Sequence, residues 1–311
     1  YTDASLDLRA NPDYPTIFEY YRKHAGSAAM SPLNAWWISD SLGPYPALNY
    51  SSYPGYGASY GANYIQPSSL ITANGYNAIG NPLHFTNDQK LATDKIRGFC
   101  DGNFASQFSA ESAGVINSVS ERDQLEVFIN ELFADRMSGP DFKNWGSNGW
   151  LNSDLINVYY AEKVLEKFQP ELMVLNLQDV DICHTKFTSY CNNLVKADWG
   201  VSHLWNHIQS TPGLVDDTVL IVMPEHGRNL QPNTVVDSYG RPAYDHTNDN
   251  TSREIFTMVI GPSGVIKQDY VNSNKYGESI DVVPTIANLL GFDVDIPSSL
   301  LKGKVLNDVF I

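Results

Sequence analysis

Between Pro15 and Gly26 the sequence PTIFEYYRKHAG sets apolar positions at helical spacing among charged ones. Pro15 and Thr16 suit a helix start, the basic residues suit its last turn and Gly26 its end, with Ile17, Tyr20 and Tyr21 as the apolar face. A second helical stretch, SERDQLEVFINELFADRM, opens at Ser120. In it Leu125, Phe128, Leu132 and Phe133 recur at helical spacing, and Asp123 follows the capping serine by three places. From Ser153 helical patterns alternate with short apolar runs: helix Asp154 to Phe168 closed by Pro170, strand Leu172 to Leu177, helix Asn192 to Gln209, strand Thr218 to Met223. A further strand, Ile255 to Ile260, ends at Gly261-Pro262. A helix from about Ile280 to Leu290 follows, with Ser279 and Asp281 as capping oxygens and Gly291 as its stop. This alternation predicts an α/β fold with a mostly parallel sheet and helices on both faces. In open sheets of this kind ligands sit beyond the carboxyl ends of the strands, which is where chemistry is expected.

Two regions break the order. Six tyrosines stand among Gly, Ser, Asn and Pro from Tyr45 to Tyr64, without helical or strand periodicity, so a loop-rich insertion is expected over 45–84. A helical insertion or cap is expected over about 85–150. With 311 residues and 42% hydrophobic composition, the chain is long enough for one large α/β domain over 1–311. The net charge of −15 argues against a nucleic-acid duplex as partner, and an anionic substrate would need a local positive centre, such as bound cations. Cys100, Cys183 and Cys191 match no zinc-finger or CxxC spacing and allow at most one disulfide. No apolar run is long enough to span a membrane. The chain opens on Tyr1 rather than Met, which reads as a processed or trimmed start, and a secreted or periplasmic location is expected.

The chemistry gathers after three apolar runs. LMVLNL leads into Gln178-Asp179-Val180-Asp181-Ile182-Cys183-His184, VLIVM into Pro224-Glu225-His226-Gly227-Arg228, and Asp245-His246 precedes TNDNTSRE and the run IFTMVI. Each segment delivers an acid and a histidine, and three of them in succession are expected at one edge of one sheet. Carboxylate oxygens and imidazole nitrogens are ligands that zinc and manganese prefer, and neighbouring carboxylates repel one another unless a cation lies between them. Taken singly, Asp179 or Asp181 reads as a turn residue and Glu225-His226 as a solvated strand exit; together they point to a metal site. Arg228 suits a phosphate contact or a surface ion pair. The helical pair His203 and His207 reads as core packing with a metal clasp as the alternative, and His24 as a favourable partner of its helix terminus. The tyrosines of 45–64, with Trp36 and Trp37, read either as a wall for a sugar, nucleotide or lipid head group or as self-packing.

The order Asp-x-x-His, Glu-His-Gly, Asp-His, then ESIDVVPTIANLLGF and LKGKVLNDVF, resembles the alkaline phosphatase superfamily, and PTIFEYYRKHAG resembles a helix of its sulfatase-like branch. The resemblance implies a metal-dependent hydrolase of phosphate mono- or diesters, acting on a small phosphoester or a phosphorylated glycan or lipid. It implies two divalent cations, zinc first, with manganese or calcium as alternatives. Asp181, His184 and His246 would hold one, Glu225 and His226 the other. Glu225 stands where the family carries Asp, and the step from Asp181 to His184 is shorter than the family's, which keeps Asp179 as a rival to Asp181. The family's nucleophile precedes the helix that starts here near Thr16. Residues 1–15 do not read as its strand, so the nucleophile is expected upstream of Tyr1, and no Cys-x-Pro-x-Arg surrounds any cysteine. A non-catalytic binding or assembly protein of the same family and a phosphomutase are the alternatives.

Overall fold

A computed structural model of the chain describes residues 11–39, 48–65, 115–138, 150–246 and 249–311. The chain gathers into two compact units, Tyr1–Asn176 with Ala287–Leu301, and Leu177–Ile286 with Lys302–Ile311.

The first unit is built on a parallel sheet of β1 (Ala35–Ile38), β2 (Asn63–Ile65) and β3 (Leu172–Leu175), in the order β2-β1-β3. The central strand, AWWI, is buried at every position, as a parallel strand covered on both faces must be. Trp36 and Trp37, neighbours in the strand, point to opposite faces. Trp36 stacks on Phe168 at 5.0 Å and meets Phe128 edge-on at 6.1 Å, while Trp37 meets Phe18 at 6.2 Å. Phe18 lies on α1 (Ile17–His24), Phe128 on α2 (Val119–Ser138) and Phe168 on α3 (Ser153–Phe168), so helices cover both faces and the α/β class expected from the pattern holds. The two tryptophans are therefore sheet core rather than a wall for a ligand.

Thr16 and Glu19 close a capping box at the start of α1. The helix is buried at Phe18, Tyr20 and Tyr21 and also at Glu19 and Arg22, whereas Ile17 is only half-buried. The inward face differs from the expected one because the tyrosine-rich segment packs on the helix as well. Glu19 accepts from Ser51 Oγ at 2.8 Å and from Gly57 N at 2.6 Å, and Arg22 donates to Met30 O at 2.9 Å and Gly61 O at 2.6 Å, which satisfies both buried charges. Burial pulls the Arg22 guanidinium down to about 10, still protonated at neutral pH, and pushes the Tyr20 hydroxyl up to about 12. Tyr53, Tyr56 and Tyr60 pack on one another, with the Lys23 ammonium 4.1 Å from the centre of the Tyr56 ring. Of the alternatives for this segment, self-packing is what these rings do, and the same segment supplies β2. The cap of α2 is Ser118 with Glu121, bonded reciprocally, rather than Ser120 with Asp123. The rest of the insertions expected over 45–84 and 85–150 lies largely outside the described residues.

In the second unit α4 (Phe187–Ser210) begins at Phe187 rather than at Asn192, and β4 (Leu220–Val222) pairs antiparallel with β5 (Met258–Ile260). Neither strand joins the three-stranded sheet among the described residues, so the acid-histidine segments do not leave one edge of one sheet. A short apolar run suggests an extended segment, but not which strand it bonds. A turn at Ser279–Asp281 leads into α5 (Val282–Leu289). The buried Asp281 carboxylate accepts from Glu278 N at 3.0 Å and Lys304 N at 2.9 Å, and Leu306 N donates to Thr285 Oγ1 at 2.9 Å. ESIDVVPT and LKGKVL are thereby clamped together. Gly303, at φ +85°, is required there, since a Cβ would lie 2.6 Å from Ile280 O. No helix among the described residues is long and apolar enough to cross a membrane.

Three carboxylates of this unit lie below their ordinary range: Asp237 through hydrogen bonding from Arg241, Asp249 through the Thr251 and Leu230 amides, and Asp308 through the Tyr270 hydroxyl and Asn272. A depressed carboxyl contributes stability that is complete above its unfolded value, about 3.9, and is lost as pH falls through the folded one. The unfolding midpoint of the metal-free protein should hold from about pH 6 to about pH 4.5, then fall. Asp237→Asn should shrink that fall; an unchanged profile would remove Asp237 from the account.

Candidate metal centre

Three short segments of the second unit build the centre. In the first, Asp181 N bonds Gln178 O at 3.0 Å and Cys183 N bonds Val180 O at 3.4 Å, and this pair of turns projects Asp181 and His184 just before α4. Asn193 on α4 fastens the turns by donating to Asp179 O at 2.7 Å. In the second, the chain leaving β4 is tied down by Gly227 N to Ser252 O at 2.8 Å and Asn229 N to Asp245 O at 2.7 Å. In the third, Tyr244 N donates to His184 O at 3.0 Å, which brings His246 beside the first segment.

Asp181 Oδ1 is the common point. The Nε2 atoms of His226, His184 and His246 lie 3.3, 3.5 and 3.7 Å from it. The His226 and His246 rings stack at 4.0 Å, and those of His184 and His246 meet edge-on at 5.5 Å. The ligating atoms of Asp181, His226 and His246 all lie within 4.8 Å of one another. His226 Nδ1 is 2.8 Å from Gly227 O. A carbonyl only accepts, so Nδ1 carries a proton, and Nε2 is the ring nitrogen that faces the carboxylate. Backbone carbonyls fix metal-ligating histidines in this way.

Two lone-pair atoms facing each other at this range repel unless a proton or a cation lies between them. Asp181 Oδ1 and His184 Nε2 are both buried and have no hydrogen-bond partner. A buried polar atom without a partner is costly, and the oxygen and nitrogen donors present are those a divalent transition metal takes. The residues fit such an ion.

Of the residues expected from sequence, the structure brings together Asp181, His184, His226 and His246. Glu225 is exposed and outside the group, and Asp179 is buried beside the turn, outside it as well. Asp245 is engaged elsewhere, its carboxylate accepting from Asn233 and, at 3.1 Å, from Asn229. Arg228 donates to main-chain carbonyls on two of the segments. His203 lies 4.7 Å from Trp199 on α4 and is not part of the group. Sequence reasoning passed over Asp249, which accepts from Leu230 N at 2.9 Å and Thr251 N at 3.0 Å and so joins the second and third segments. Its signal is an Asp two places before Thr-Ser, the pattern of an Asx cap.

Gly227 approaches the backbone closely. A Cβ there would lie 2.2 Å from Thr251 O and 3.0 Å from Glu254 O, and neither carbonyl can swing aside like a side chain. Gly227→Ala should therefore lower stability by about 1–3 kcal/mol and displace His226, read as a lower urea midpoint together with weaker Zn²⁺ binding. An alanine variant equal to wild type in both would contradict this packing. Comparison of the chain with protein-family models, with curated proteins and with solved structures returned no match.

Proposed function

We propose that the chain is a metal-dependent hydrolase of phosphate mono- or diesters, with Asp181, His226 and His246 holding a divalent cation, zinc first, and His184 beside them. The observation that carries the reading is the convergence of three imidazole nitrogens on one carboxylate oxygen that accepts no hydrogen bond. The choice of phosphate esters rests on the resemblance to the alkaline phosphatase superfamily in the order Asp-x-x-His, Glu-His-Gly, Asp-His. A cation bound there would supply Lewis-acid polarisation of a phosphoryl oxygen and a local positive charge in a chain of net charge −15. The chain's own residues hold the geometry: the Gly227 carbonyl fixes the His226 tautomer, and the Tyr244 amide fixes the main chain at His184. Two cations, as the resemblance implies, would require Glu225 to join His226 in a second site.

The exposure of Glu225, outside the group, favours a second reading: a binding protein with a single cation and no hydrolytic activity. The test is hydrolysis of p-nitrophenyl phosphate and bis-p-nitrophenyl phosphate by protein stripped with chelator and then reloaded with Zn²⁺ or Mn²⁺. The hydrolase reading expects activity lost on stripping and restored on reloading. Activity that survives full stripping would overturn it, and stoichiometric metal without hydrolysis would give the binding protein.

A further inference from the structure

We infer that Arg228 is a positioning residue for the cation, which holds the segments carrying Asp181 and His246 against the one carrying His226, and that it is not a phosphate contact. The inference rests on the cation-site reading. Arg228 lies two places after His226, with 15% of its side chain exposed. One terminal nitrogen, Nη2, donates to Val180 O and to Asp181 O at 2.6 Å each, and the other, Nη1, donates to Tyr244 O at 3.1 Å. The guanidinium also lies 4.9 Å from the centre of the Tyr190 ring on α4.

These carbonyls belong to the turn that bears Asp181 and to the residue two places before His246. One planar group thus bonds across two ligand segments from a third. A planar fork does this with its donors fixed in angle; a lysine ammonium has one centre and cannot reach both sides in the same geometry. Nη2 is 3.9 Å from Asp181 Oδ1, beyond hydrogen-bond distance, so the guanidinium fixes the aspartate main chain while leaving that oxygen for a cation. Three of the five N–H groups are engaged by these carbonyls and are not available to a phosphoryl group. Outer partners that orient ligands in this way typically govern metal affinity by about 10–100-fold.

The test is a Co²⁺ titration of the full chain, followed by the d–d absorption of the bound ion, with the unfolding midpoint of the metal-free protein measured beside it. Arg228→Gln should weaken Co²⁺ binding by about 10–100-fold and alter the band shape, and Arg228→Lys should recover only part of the loss. Tyr190→Leu, which removes the ring beneath the guanidinium, should weaken binding by about 2–5-fold with a metal-free midpoint near that of wild type. Wild-type Co²⁺ affinity in Arg228→Gln, with the loss falling instead on competition by inorganic phosphate, would overturn the inference. If Arg228→Gln does not fold, unchanged Co²⁺ affinity in both Arg228→Lys and Tyr190→Leu would overturn it. Absence of Co²⁺ binding by the wild type would instead sink the cation-site reading beneath it.

Discussion

Asp181→Ala should lower the affinity of the protein for Zn²⁺ by more than about 100-fold, because losing an outer partner of a metal ligand already costs about 10–100-fold and Asp181 supplies the atom on which the group converges. Its Oδ1 faces the Nε2 atoms of His226, His184 and His246 at 3.3, 3.5 and 3.7 Å. Removing it takes away the only carboxylate of the group and leaves neutral imidazoles to face the cation without a compensating charge. The metal-free protein should lose little stability, since Oδ1 makes no hydrogen bond. Isothermal titration with Zn²⁺ reads the first effect and the urea midpoint the second. An alanine variant that binds Zn²⁺ like wild type would show that the histidines bind elsewhere. A large loss of metal-free stability would show that Asp181 serves the fold instead.

Trp36→Ala should unfold the protein more readily by about 3–5 kcal/mol, the range for truncating a large buried aromatic side chain. Trp36 is 1% exposed on the central strand and packs against both Phe128 and Phe168. Its indole nitrogen donates to Leu33 O at 2.6 Å. Alanine would leave a cavity walled by two aromatic rings that are themselves fixed in helices, which limits collapse of the hole. Urea unfolding followed by near-ultraviolet dichroism measures the loss. A small change in stability together with weaker substrate binding would restore Trp36 to the role of a ligand wall.

The sequence made legible what depends on local pattern. Pro15 and Thr16 at the head of α1, the helical spacing of Leu125, Phe128 and Leu132 in α2 and the apolar run of β3 each carry their signal within a few neighbouring residues. The imidazoles and Asp181 stood out as candidates too, because such groups are rarely placed together after apolar runs for packing alone, but the pattern did not separate Asp181 from Asp179 and Glu225, which lie outside the group. What was not legible depends on partners distant in the chain. β1 and β2 have four and three residues, too few for a period, and β2 lies inside a tyrosine- and glycine-rich stretch that reads as a loop. That AWWI is a central strand follows only from its pairing with Asn63–Ile65 on one side and Leu172–Leu175 on the other. Strand direction was equally hidden: β4 and β5 look like members of a parallel series, yet bond antiparallel to one another. Arg228 reads as a phosphate contact or a surface ion-pair partner because the carbonyls it bonds come from 16, 47 and 48 positions away.

The most direct measurement is an anomalous-scattering map of crystals grown from the metal-free protein and soaked in Zn²⁺, recorded on both sides of the zinc edge. A strong peak is expected bonded to Asp181 and to the Nε2 atoms of His226 and His246, with His184 turned toward it. Zinc bound elsewhere in the crystal, with no peak among these side chains, would contradict the cation-site reading.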